Sequence, residues 1–548
     1  MTKIRPFHLA LAILWSACAL VLWQCRERND GHLVYALDDP YIHMAMARNL
    51  AEHGVWGLTP HRFTSSSSSP LWTLILGVSF RLFGVSEAVP LILNLLLASW
   101  LLWSIERVVA GPGMGERPTL ALLVAVVFVA PLPALVFCGL EHTLHICLCL
   151  LFVELAVGAL TAVPWAGRAL PGRDELALAA LAPFLVMARY EGLFCLLVVG
   201  LGFAARRRLL VAGLVVGCGL APVIACGAIS AWNGWFWLPN PVVLKGASPD
   251  LWTAAGWAEL LGRRLFGQLT RAPHLTSLLV LAFALLIQRW ATRPTVWERP
   301  TVRLFVFTAL SLWHLELAGV GWFYRYEAYL VVLGLVALSG ALAGSADPMR
   351  AWLAARPRSD LVRLALLGLA LPVVIVGPAL LSPLAGRAWL SLVEIPTATA
   401  NTYQQQYQMG LFLRDHYAGA AVAAVDIGAI SFLGRIDCLD LMGLADPEVA
   451  RLRRSGKLDP EALTALAARR RCRIAVVYDD WLDDYYGGVP RSWPAVGRWK
   501  IGNLLVAGSD RVTFHALSPA EVPRLTEALR RFAPRLPPGV QQAGPYLR

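Results

Sequence analysis

Hydrophobic residues fall into two patterns along the chain. Through residue 383 they form long runs separated by short polar connections; beyond it they come as brief blocks between charged stretches. Eleven of the long runs read as membrane-crossing helices: 7–25, 87–105, 118–137, 143–163, 175–189, 190–205, 209–231, 275–290, 304–320, 326–343 and 364–382. An ordinary span needs about 20 apolar residues, so the shorter runs have soft boundaries. A further segment, "PLWTLILGVSFRLFG" (70–84), decides the sidedness of everything after it. It has 15 residues and carries Arg81, which suits a helix lying on or dipping into the membrane surface.

The basic residues agree with that assignment. The connections 1–6, 106–117, 164–174, 206–208, 288–303 and 344–363 then hold 17 Lys and Arg in 68 residues, and the opposite connections hold 11 in 125. Lysine and arginine accumulate on the cytoplasmic side of membrane proteins. The expected topology has the N-terminus inside, eleven spans, surface helices in an outer loop 26–86, and residues 384–548 outside.

The tail reads differently. "AVAAVDIGAI" and "RIAVVYD" suit buried strands, and "PEALTALAARRR" and "PRLTEALRRF" have helical spacing. Their alternation predicts an α/β domain over 384–548, following an all-α membrane domain over 1–383. No Gly-rich phosphate loop stands at a strand–helix turn, which argues against nucleotide binding.

Composition supports the membrane assignment. Hydrophobic residues make up 57% of the 548, charged residues 15%, and mean hydropathy is +0.58, against about 45–50% and 25% in soluble chains. The net charge of +12 comes from arginines between spans, so it reports topology and not nucleic acid. The ten cysteines form no metal-binding spacing. Only Cys438 and Cys472 lie in the polar tail, where an extracytoplasmic domain would let them pair.

In this topology the unusual polar residues collect on one side. Asp38, Asp39 and His43 lie in the first outer loop, Glu141 and His142 in "CGLEHTLH", and Arg189 and Glu191 in "ARYEG". Asn240 and Lys245 follow in "WFWLPNPVVLKG", and Arg325 and Glu327 in "FYRYEAY". Ionisable groups at span ends are costly unless they face a polar cavity or one another. Five such clusters predict one convergent site. Each also has a plainer reading. The Arg/Glu pairs serve as ion pairs, the tryptophans as an interfacial belt, and Ser65–Ser69 as a solvated loop. Glu141, His142 and His145 make hydrogen bonds instead of holding a metal, and "DDWLDD" (479–484) forms a solvated acidic turn.

The order of these pieces resembles the GT-C superfamily, integral membrane glycosyltransferases that use polyprenyl-phosphate sugars. "LDDPYIHMAMARNLAEHG", "GLEHTLHICLCLL", "ARYEGLF", "WFWLPNPVVLKG" and "VAAVDIGAISFLGRIDCLDLMGLADPEV" are similar to the bacterial branch with mycobacterial terminal arabinofuranosyltransferases. "ARYEG" departs from it, with tyrosine where that branch has proline. The resemblance implies a multi-pass enzyme of the bacterial plasma (inner) membrane. Its reaction would be inverting hexosyl or pentosyl transfer from a polyprenyl-phosphate donor to a cell-envelope glycan or lipid acceptor. Asp38 would be the base; Asp39 would orient the acceptor or share a divalent cation (magnesium or manganese) with Asp38. Arg189, Lys245 and Arg325 would bind donor phosphate. His43, Glu141, His142, Glu191, Asn240 and Glu327 would line the pocket. A glycosidase needs two opposed carboxyls because it must protonate its leaving group; a phosphate departs without that help. Two other classes compete: a transporter or flippase, and a non-catalytic polysaccharide-binding membrane protein. A transporter should show mid-membrane charges and inverted repeats, and neither is evident.

Overall fold

The computed structural model describes residues 5–110, 114–162, 170–245, 264–292, 297–343 and 360–548, with positions 253, 256 and 259. Each of the eleven apolar runs is helical. Six helices among the described residues are long and apolar enough to cross a membrane: Pro6–Arg28, Ala88–Val109, Glu116–Cys138, His142–Thr161, Leu209–Trp232 and Pro273–Trp290. Their facing sides join one apolar core that includes Leu14, Leu123, Phe152 and Leu278. Their outward sides are apolar too, with Trp23, Ile224, Trp232 and Ile287 exposed. Helices hydrophobic all round are those of membrane spans or of large buried cores.

Segment 70–84 forms the helix Pro70–Phe83, with the Ser69 side chain capping the Trp72 amide. One face buries Trp72, Leu76 and Phe80; the other exposes Leu74, Val78 and Leu82. The buried face packs on the helix Asp39–His53, where Gly77 admits Leu50 at a separation no Cβ would permit.

The tail is an α/β domain built on a six-stranded sheet. Its strands are β1 (Ala421–Ala424), β2 (Asp437–Asp440), β3 (Ile474–Val477), β4 (Ala495–Lys500), β5 (Arg511–Ala516) and β6 (Gln541–Ala543), in the order β2-β1-β3-β5-β4-β6. β2, β1 and β3 run parallel, and the β3–β5, β5–β4 and β4–β6 pairs are antiparallel. Both expected strands and both expected helices are present, the helices as Pro460–Arg469 and Glu521–Phe532. The expected division at 383/384 falls inside one long helix, Asp360–Thr402, which leads from the bundle into the domain. Cys438 and Cys472 are free thiols. Cys438 lies on β2 and Cys472 just before β3, with β1 between, which spaces them by two strand widths of about 4.8 Å each. A disulfide needs Cα atoms under about 7 Å.

Side chains of the helical part grip backbone groups of this domain. Arg48 donates to the Phe432 and Ser431 carbonyls, Arg62 to Cys438 O at 2.8 Å, and Asn240 to Gly443 O at 2.7 Å. Asp38 works in the opposite sense. Its carboxylate accepts the amides of Gly428 (2.7 Å) and Ala429 (2.8 Å), the entry to the helix Ala429–Gly434. Gly428 is required there, because a Cβ would lie 2.6 Å from Asp38 Oδ2.

Gly428→Ala should therefore loosen the docking without unfolding the sheet. The expected result is faster hydrogen exchange at residues 428–434, with protection kept across β1, β3 and β5. Unchanged exchange at 428–434 would show that the Asp38 contact does not hold the domain.

Candidate functional site

A cavity of about 420 Å³ is lined by Asp39, His43, Glu141, His142, Arg189, Glu191 and Arg325. Seven of the residues singled out from the sequence thus meet in one place. The chain delivers them at helix ends, where a turn leaves side chains free of the helical ladder. Glu141 and His142 open the helix His142–Thr161 just after Gly139, whose φ of 66° reverses the chain. Arg189 and Glu191 occupy the turn between the helices Arg173–Ala188 and Gly192–Ala205.

Arg325 is placed by a strained loop. Gly321, Trp322, Phe323 and Tyr324 all have positive φ, at 81°, 38°, 56° and 65°. For non-glycine residues that conformation costs roughly 1–2 kcal/mol each. Glu327 and Arg387 hold the loop in place. Glu327 is fully buried; it accepts from Arg387 (2.6 Å) and from the Gly321 amide (2.8 Å), and its other partner is His274 Nε2 at 3.1 Å. Arg387 also donates to Tyr324 O at 2.6 Å. Glu327 is thus an anchor behind the cavity and does not line it.

Asn240 is likewise a positioning group. It bonds Gly443 through its side chain and Ser65 O through its amide, while its neighbours Pro241 and Val242 line the cavity. Lys245 ends the short helix Asn240–Lys245, and its side chain lies outside the described residues. The serine run is not a solvated loop. Ser65, Ser66, Ser67 and Ser69 are buried, and Ser66 and Ser68 face the cavity. His145 turns away from the cavity toward Cys149 and Tyr329.

The two arginines differ in what they have left to offer. Arg189 donates through Nε and Nη2 to both oxygens of Glu191 (3.2 and 2.6 Å). Its Nη1 donates to Glu141 Oε1 (2.5 Å) and His142 Nε2 (2.8 Å). A guanidinium has five N–H donors, so most of this one is committed. Arg325 is fixed through Nη2 to Asp39 Oδ2 (2.6 Å), while its buried Nε has no partner among the described residues. Among the described residues, His142 Nδ1 and Glu141 Oε2 are buried without partners as well. Since arginine only donates, His142 Nε2 is the acceptor and Nδ1 carries the proton. Buried polar groups rarely go unpaired in native proteins unless water or a ligand completes them. Tyr326, which the sequence did not single out, lies beneath both guanidinium groups at 5.7 and 5.1 Å.

His43 touches Thr73 Oγ1 at 2.8 Å, and burial keeps its imidazole below the usual range, hence neutral. Asp38 does not line this cavity. It faces a second one, of about 370 Å³, that shares Asp39, Tyr326 and Leu444 with the first. Burial, with the charge of Asp426 adding to it, pushes the Asp38 carboxyl up to about 8 against the pull of its two amide bonds. Asp39, its sequence neighbour, contributes least to that shift. For a magnesium or manganese ion shared by the pair, the donor set fits poorly. Asp38 already accepts an amide on each oxygen and faces the second cavity, Asp39 is held by a guanidinium, and no group of three potential ligands occurs among the described residues.

Comparison with known proteins gives the fold a parallel. The crystal structure of ArnT from Cupriavidus metallidurans bound to undecaprenyl phosphate superposes with a TM-score of 0.50 at 14% identity, covering 94% of this chain and 98% of that one. Likeness at that identity speaks for the fold. Residues 397–515 match a domain of unknown function, DUF8728. No curated protein matches the chain.

The bonding of Arg189 makes it an electrostatic keystone. Arg189→Gln leaves Glu191 and Glu141 buried without their cation, a loss of about 3–5 kcal/mol for a broken buried pair. Melting curves in detergent should show a large drop for Arg189→Gln that Arg189→Gln/Glu191→Gln partly restores. An unchanged melting point would mean the cluster is solvated and carries no structural weight.

Proposed function

We propose that this protein is a membrane glycosyltransferase that takes a sugar from a polyprenyl-phosphate carrier and passes it to a hydroxyl of a cell-envelope glycan or lipid. The observation that carries this is the set of unmet polar atoms on residues that line the first cavity. Arg325 Nε–H and His142 Nδ1–H are two donors suited to phosphate oxygens, and Glu141 Oε2 is an acceptor suited to a sugar hydroxyl. The likeness to ArnT, crystallised with undecaprenyl phosphate, supports the same carrier chemistry. Arg325 is the principal phosphate ligand in this reading. Arg189 sets the field and offers at most its last N–H, and Lys245 belongs to the same helix as the lining residue Val242. The order of motifs is similar to that of the branch with terminal arabinofuranosyltransferases, and the transferred group is a hexosyl or pentosyl sugar.

A lipid carrier suits such a site because its tail can lie in the bilayer while its head enters the cavity. In the proposed topology the bundle crosses the bacterial plasma membrane with the N-terminus inside and the cavity facing out. The exposed Leu74, Val78 and Leu82 of the surface helix then rest against lipid.

The step balances on the chain's own residues. The acceptor oxygen attacks the anomeric carbon. The bond from that carbon to the phosphate oxygen breaks, and its electron pair leaves with polyprenyl phosphate. The hydroxyl proton goes to Asp38. Arg325 and His142 stabilise the departing phosphate, electrostatic work that typically dominates such catalysis. Asp38 accepts two amide bonds, and a carboxylate has about four lone-pair positions, so room remains for the acceptor hydroxyl. Asp39, between the cavities, orients that hydroxyl and holds Arg325 toward the donor.

Two measurements test the assignment. In nanodiscs, Arg325→Gln should weaken binding of undecaprenyl phosphate by about 2–5 kcal/mol, as for a truncated buried charge partner. Asp38→Asn should leave that binding intact and lower transfer by about 10²–10⁴-fold, the usual worth of a general base. A base must be deprotonated, so transfer should rise about tenfold per pH unit up to about 8 and then level off. Full transfer by Asp38→Asn would remove Asp38 from the chemistry and leave Asp39 as the base.

A further inference from the structure

The second cavity carries a chemistry unlike that of the first, and we propose that it is the subsite for the saccharide end of the acceptor, with Trp481 and Tyr485 of the α/β domain as its stacking platform. The assignment rests on the transferase reading above but makes its own claim, about which residues hold the acceptor.

The cavity lies where the bundle meets the α/β domain. One wall is Asp38, Asp39 and Tyr326; the other includes Asp426, Trp481 and Tyr485. Both aromatic residues come from the helix Asp479–Tyr486, the "DDWLDDYY" stretch. Its acids turn elsewhere. Asp480, Asp483 and Asp484 are exposed, and Asp479 bonds Thr513 Oγ1 and His515 Nε2. Its rings, four residues apart, face one way. They meet at 80° with centroids 6.2 Å apart, forming a corner.

Trp481 is rigidly held. Its Nε1 donates to Gly508 O at 3.0 Å, and its ring meets Tyr478 edge-on at 5.3 Å. Gly508 has no room for a side chain, since a Cβ would lie 2.5 Å from the indole. Tyr485 is 54% exposed, with the Arg453 guanidinium over its ring at 4.9 Å. Rigid aromatic surface of this kind binds at small entropic cost.

The ligand class follows from the polar groups. Asp38, Asp39 and Asp426 put three carboxyl groups around the space, and Arg453 of the same lining lies over the Tyr485 ring, a balance that favours a neutral ligand over anionic phosphate. A neutral sugar suits both halves: its hydroxyls donate to carboxyl oxygens, and its C–H face lies on an aromatic ring. The volume falls within the roughly 300–1,000 Å³ of small-molecule sites. Asp39 and Tyr326 line both cavities, so a sugar seated on Trp481 reaches toward the donor past the two adjacent acids. Asp426 is itself positioned by Gln406 Nε2 at 2.8 Å and by the Tyr478 hydroxyl, the same tyrosine that backs Trp481.

Binding to full-length protein in nanodiscs tests this without knowledge of the natural acceptor. The probes are octyl glycosides of arabinofuranose, mannose, glucose and galactofuranose, and the matching methyl trisaccharides. Undecaprenyl phosphate is measured in parallel. At least one glycoside should bind, at least tenfold more weakly to Trp481→Ala and to Tyr485→Ala, with Trp481→Phe restoring most of the affinity. Undecaprenyl phosphate should bind all variants alike, which also shows that each is folded. Octyl glycosides binding better than trisaccharides would indicate a lipid-borne acceptor; equal binding would indicate a free glycan end. Wild type binding no probe, or all variants binding as wild type does, overturns the subsite. Saccharide binding without any affinity for undecaprenyl phosphate would keep the subsite and reject the transferase reading.

Discussion

One contact organises the region where the two halves of the chain meet: the Asp38 carboxylate on the amides of Gly428 and Ala429. It ties the first polar loop to a helix entry some 390 positions later in the sequence. The bond is directional, and glycine at 428 lets the carboxyl approach. Once made, it settles where three acids lie. Asp38 faces the domain, Asp426 is drawn near enough to raise the Asp38 carboxyl, and Asp39 is left pointing to the junction of both cavities. Arg48, Arg62 and Asn240 then lock the same interface through backbone carbonyls, where a lost buried bond costs about 1–3 kcal/mol.

Both cavities are lined by three acidic residues, but the first holds Arg189 and Arg325 where the second holds Arg453. In the first, each arginine has acidic company, and the difference lies in which donors remain. Arg189 is bidentate to Glu191 and touches Glu141 and His142, a geometry that fixes the turn. Arg325 is held by one terminal nitrogen and keeps its Nε unmet. The left-handed run 321–324 is what aims it. Such strain persists only where the surroundings over-determine it. The buried Glu327–Arg387 pair supplies that determination from behind the site.

Much of this was legible in the sequence, for a physical reason. Polar residues at the ends of apolar runs are expensive in hydrocarbon, so their positions mark a cavity. Asp39, His43, Glu141, His142, Arg189, Glu191 and Arg325 all lie on it. The same signal cannot say which partner meets a buried group. Glu327 and Asn240 carry it equally, yet their partners Arg387 and Gly443 lie 60 and 203 positions away and turn them into struts. Serines in a row read as solvated because small hydroxyls tolerate water; here Ser65, Ser66 and Ser67 bond Ser230, Thr64 and Thr73 inside the fold. Tyr326 and Trp481 were hidden by the opposite bias, since aromatic residues near membrane surfaces usually mark the interface.

The adjacency of Asp38 and Asp39 takes on a different meaning in this geometry. Two neighbouring acids suggest one shared task, such as a common ion or mutual elevation of pKa. Consecutive side chains at a helix start diverge by about 100°, the angular step of 3.6 residues per turn. Asp38 precedes the helix Asp39–His53 and Asp39 begins it, so one carboxyl turns to the α/β domain and the other to Arg325. Each is held by a different partner, and Asp426 weighs more on Asp38 than Asp39 does. The pair therefore works as a fork. It sets Asp38 toward one cavity and Asp39 at the boundary of both, so the two cavities touch across this pair.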